Sequence, residues 1–107
     1  MTFYLIEASY SPAALKAMVD HPQDRVAVVS AMVEKAGGRL HHFFFTMGDT
    51  DIVALAEVPD DTDAMAISLA VASAGHMTSY RTRRLTTSDD AMKAMRKAQS
   101  ISLPPPR

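Results

Sequence analysis

From residue 3 to residue 10 apolar side chains occupy both alternate sets of positions, Phe3 and Leu5 on one side, Tyr4, Ile6, Ala8 and Tyr10 on the other. Alternation that is apolar on both sides predicts a strand covered on both faces. Ser11 and Pro12 then supply a hydroxyl N-cap and a proline at the first helical position, where its missing N–H costs nothing. The helix they start runs through Leu15 and Met18 and must kink or restart at His21-Pro22, since a proline disfavours helical geometry in the residue before it. Val26, Val29, Met32, Val33 and Ala36 recur at three- and four-residue spacing, and Gly37-Gly38 closes that pattern.

Residues 39–47, centred on Phe43-Phe44-Phe45, and the aliphatic run 52–58 predict two antiparallel strands joined by the turn Gly48-Asp49-Thr50-Asp51. Pro59 ends the second, and Asp60, Asp61 and Asp63 place acids where a helix dipole favours them, ahead of a helix over 64–74. That helix is apolar nearly all round, which predicts cover on more than one side. Gly75 stops it, and residues 76–85, with Thr78, Tyr80, Thr82 and three arginines, suit an edge strand. Ser88-Asp89-Asp90 is expected to cap a short helix over 91–99 carrying Met92 and Met95, and residues 101–107 form a proline-rich tail.

The order strand, helix, strand, strand, helix, strand predicts an α+β, ferredoxin-like βαββαβ domain with a four-stranded antiparallel sheet and an appended C-terminal helix. This divides the chain into a domain over 1–87, a helix over 88–100 and a tail over 101–107. Both domain helices lie on one face, so the other, apolar face needs a second surface, and pairing with another copy gives a dimeric α+β barrel. A C-terminal helix folded back over the sheet is the competing way to cover it.

Composition narrows the function classes. The 107 residues are 48% apolar and 21% charged, enough for one packed core, and the net charge of −1 argues against a nucleic-acid surface. Cysteine is absent, which removes disulfides and thiolate chemistry together. No leader-like start and no run of about 20 apolar residues is present, so a cytoplasmic location with no membrane contact is the expectation.

The segments Gly37-Gly38-Arg39-Leu40, Phe44-Phe45-Thr46-Met47-Gly48-Asp49-Thr50-Asp51-Ile52-Val53-Ala54 and Glu57-Val58-Pro59-Asp60-Asp61 resemble the GYD-domain family of small bacterial proteins, over roughly residues 3–86. Gly48 and Asp51 match the naming motif, whereas Thr50 stands where the family has tyrosine. The resemblance implies a ferredoxin-like, dimer-forming domain of undefined biochemical role.

Candidate ligand-binding residues are His42, His76, Glu7 and Arg81. His41 and His42 are adjacent on a strand and are expected on opposite faces, which disfavours a two-histidine metal site, while His42 and His76 could share a cavity. Arg81 and Arg83 share a face and suit either a carboxylate or phosphate ligand or a partner such as Glu7. Gly48 and Asp51 are expected to set the hairpin turn, Asp51 by accepting backbone hydrogen bonds within it. The eight methionines are expected to pack cores or interfaces rather than bind copper. No metal or cofactor motif is found. These features predict a homo-oligomeric domain that binds a small apolar molecule or serves an accessory role. By fold analogy, the alternative is a cofactor-independent oxygenase or isomerase.

Overall fold

The computed structural model describes residues 1–106; Arg107, the last residue of the tail, lies outside them. The elements are β1 (Thr2–Tyr10), α1 (Pro12–Asp20), α2 (Arg25–Lys35), β2 (Arg39–Phe45), β3 (Ile52–Val58), α3 (Asp61–Ser73), β4 (Met77–Leu85) and α4 (Ser88–Ala98). The strands form one sheet in the order β2-β3-β1-β4, antiparallel at every pairing. This is the ferredoxin-like arrangement, with the first helical segment broken into α1 and α2 at His21-Pro22.

The alternation of β1 is read out directly: Tyr4, Ile6, Ala8 and Tyr10 are buried, and the residues between them are half-buried. With Ala54, Ala56 and Val58 of β3, Val33 of α2 and Ala64 and Ile67 of α3, Tyr4 and Ile6 make the main core on the helical face. Ala8, Tyr10 and Ile52 form a second cluster at one end, against which Met18 and Phe43 pack.

Two glycines make the α2–β2 junction. Gly37 adopts φ +84° and donates to Glu34 O at 2.9 Å, and Gly38 donates to Val33 O at 3.1 Å, the paired bonds that close a helix through a left-handed residue. Gly38 is needed for a different reason: a β-carbon there would lie 2.2 Å from the carbonyl oxygen of Glu57. β2 can therefore meet β3 immediately after the helix ends.

Two expectations change, and the competing placement of the C-terminal helix drops out. α3 buries only Ala64 and Ile67; one face of it packs on the sheet, and among the described residues nothing covers Met65 and Leu69. α4 begins earlier than the acidic run suggests: Thr87 is its N-cap, its hydroxyl accepting from Asp90 N at 3.2 Å, which puts Asp89 and Asp90 in the first turn. Nor does α4 fold back over the sheet. It has no buried residue and joins neither core cluster.

Candidate functional site

The open sheet face opposite the helices is defined by register. Phe3, Leu5 and Glu7 of β1 stand opposite Glu57, Leu55 and Val53 of β3 on one side and Leu85, Arg83 and Arg81 of β4 on the other. All six β1 and β3 side chains are half-buried, and Phe44 of β2 is 60% exposed. The middle of the face is apolar, and acids and bases border it.

β2 contributes its histidines in an unexpected way. Leu40 faces Ala56 and His42 faces Leu55, so His41 is an extra residue in a β-bulge. The inserted residue breaks the two-residue period, and both histidines reach the open face. His41 Nε2 lies 3.0 Å from Glu57 Oε1, with its ring 5.6 Å from that of Phe3, and His42 stacks on Phe44 at 6.0 Å. The expected split of the two rings between faces is thereby corrected. Leu40 and Phe43 carried the signal, for two core residues three apart cannot share a face of a regular strand.

Toward the β2–β3 turn the open face sinks into a hollow of about 430 Å³ lined by Glu7, Val53, Ser79, Arg81 and the turn residues Thr46, Met47, Asp49 and Thr50. Glu7 is directly opposite Arg81 in register, yet its carboxylate lies 3.5 Å from the Arg83 guanidinium, on the diagonal. Arg81 has no ion-pair partner among the described residues. Two of the residues singled out from sequence, Glu7 and Arg81, thus meet at one hollow, beside Thr50.

The turn itself is held rigidly. Thr46 N donates to Asp51 O at 2.7 Å, the Thr46 hydroxyl donates to the carbonyl of Thr50, and Gly48 takes φ +138°. Asp51 accepts within the turn through its carbonyl oxygen, as expected, but its carboxylate reaches outside it. Its Oδ2 accepts from Tyr10 N at 2.9 Å while its own N–H donates to Ala8 O at 2.9 Å, so it ties the hairpin to the end of β1. The reason is that the β1–β3 ladder stops at Ala8 and Ile52, leaving the Tyr10 N–H in need of an acceptor.

His76 is on the other side of the sheet, exposed, at an apolar cavity with Tyr10, Arg25 and residues of α2 and α3. His42 and His76 therefore lie on opposite sides of the sheet and share no cavity among the described residues. Among the described residues, no cluster of three or more His, Cys, Asp or Glu could hold a metal, and no helix is long and apolar enough to cross a membrane.

One polar cluster escaped the sequence reading. The Tyr4 hydroxyl donates to Asp61 Oδ1, and Arg84 Nε approaches the same oxygen at 3.3 Å. Burial pushes the Tyr4 phenol above its ordinary pKa, the Asp61 carboxylate adds to the rise, and Arg84 opposes it. A tyrosine among aliphatic core residues was the available signal, since a buried hydroxyl needs a partner.

A family model described as GYD domain matches residues 4–95, nearly the whole described chain and most of α4. The chain belongs to the GYD domain family. Thr50 lies on the rim of the hollow. No curated protein matches the chain. Among solved structures, it is similar to an uncharacterized NIPSNAP domain protein from Burkholderia xenovorans, 13% identical, over 82% of this chain and 95% of that one, with a TM-score of 0.45.

Proposed function

We propose that this GYD domain is a homo-oligomeric binding module that lays its open sheet face against the same face of a second copy. Between them the two faces hold a small, largely apolar molecule bearing one acidic group, without a cofactor. The observation that carries this reading is the hollow of about 430 Å³ at the polar end of a face whose middle is apolar, where Glu7 and Asp49 also stand but Arg81 pairs with no carboxylate among the described residues. A face that presents Phe3, Leu5, Phe44 and Leu55 together is an interaction surface by composition. It carries both signs of charge, Glu7 and Glu57 with Arg81 and Arg83, which makes it complementary to itself, as a two-fold interface requires.

The oxygenase or isomerase reading depended on His42 or His76 reaching another polar side chain. Both are exposed, and neither has a side-chain hydrogen bond among the described residues, so no specific contact favours it.

Native mass spectrometry on the wild type and on Leu55→Glu tests the assembly. The expected result is an oligomer for the wild type and a folded monomer for the variant, whose substitution lies outside the helical core. Decanoate serves as the ligand probe: it should raise the melting temperature of the wild type, and Arg81→Ala should abolish that rise. A wild type that is monomeric at its solubility limit and indifferent to decanoate would refute the proposal.

A further inference from the structure

On the helical side, the packing of α2 and α3 over the end of β1 leaves a cavity of about 150 Å³. Val28, Val29 and Met32 of α2 and Val71 of α3 form apolar walls, and Tyr10 and Arg25 supply the polar atoms. Tyr10 is only 4% exposed, yet among the described residues its hydroxyl has no hydrogen-bond partner, and the Arg25 Nε–H is likewise buried and unpaired. Buried polar groups in native proteins are nearly always satisfied, so two orphans at one cavity call for an occupant. Both offer a hydrogen to donate, which makes the missing partner an acceptor.

Charge specifies that acceptor further. Arg25 gives one N–H to Gln23 Oε1 at 3.1 Å and has no ion-pair partner among the described residues. No acid lines the cavity, and the other titratable side chain at it is His76, so the local field is neutral or positive. Size limits the apolar part, because an apolar cavity of about 150 Å³ accommodates a single benzene ring. Water entering the cavity finds polar partners only at Tyr10, Arg25 and His76, since the valine and methionine walls supply none.

We propose that this cavity is a binding site for a small ring-bearing carboxylate, with the ring among the α2 and α3 side chains and the carboxylate accepting from Tyr10 and Arg25. The site lies across the sheet from Arg81 and stands whether or not a second copy covers the open face.

Benzoate is the probe, titrated into the full chain by calorimetry and by backbone amide shifts. Saturable binding should shift the amides of Tyr10, Arg25 and Val71. Tyr10→Phe and Arg25→Gln should each weaken it by about tenfold or more, the scale for losing one hydrogen bond to a charged group. Ala70→Leu, which builds into the cavity, should abolish it, and Arg81→Ala should leave it unchanged. In the ligand-free protein Tyr10→Phe should raise the melting temperature, because it deletes a buried hydroxyl that has no partner there. Failure of benzoate to bind a folded wild type, or equal affinity for wild type and Tyr10→Phe, overturns the proposal. So does a crystal structure in which ordered water alone satisfies both groups in the presence of benzoate.

Discussion

Gly38→Ala should be the most damaging single methyl addition in this domain, although Gly38 does not have a positive φ. The added carbon would sit 2.2 Å from Glu57 O and 2.5 Å from Val58 Cγ1, whereas ordinary contact begins near 3.5 Å. One of the two atoms is backbone in a hydrogen-bonded strand, and the other belongs to a side chain only 1% exposed, so neither can rotate away. Relief requires β2 and β3 to separate by roughly 1 Å where Arg39 pairs with Glu57, at a cost of about 3 kcal/mol, the upper end of overpacking penalties. Domains of this kind hold about 5–15 kcal/mol in total. Urea unfolding at several protein concentrations, which separates folding from assembly, should show the midpoint falling by about 2 M for an m-value near 1.5 kcal/mol/M. Gly37→Ala is the control: its φ is +84° but its new carbon meets only Pro59 Cγ at 3.4 Å, so it pays for backbone conformation alone, about 1 kcal/mol. A Gly38→Ala protein as stable as Gly37→Ala would refute the claim that close approach, and not conformational freedom, requires the second glycine.

Asp51→Ala should destabilise by about 1–2 kcal/mol in the same assay and speed hydrogen exchange at Tyr10, whose N–H loses its acceptor. Burial raises the pKa of Tyr4 and also of Tyr80, so the folded chain keeps phenol protons that the unfolded chain releases near pH 10. Stability should therefore be level below about pH 10 and fall above it, by about 1.4 kcal/mol per pH unit for each phenol still protonated, and Tyr4→Phe should flatten that decline. Ala94→Pro should abolish α4 in circular dichroism yet change the unfolding free energy of the sheet and its helices by less than about 0.5 kcal/mol, because α4 buries nothing.

Local patterning carried the order of elements, the break at His21-Pro22, the cap at Ser11, the stop at Gly37-Gly38 and the edge position of β4, because each follows from residues within a few positions of one another. It also put Arg81 and Arg83 on one face of their strand, whereas the meeting of Glu7 with Arg81 needed the β1–β4 register. What adjacency in the chain could not decide was pairing. The β-bulge at His41 exists because Leu40 and Phe43 both pack against the core, and that demand comes from strands and helices far along the chain. Likewise, Asp51 serves Tyr10, 41 residues away, and Tyr4 serves Asp61, 57 residues away. The two orphaned donors at Tyr10 and Arg25 come together only when α2 closes over the end of β1. A polar atom's burial and its lack of a partner are properties of packing, and no spacing along a chain records them.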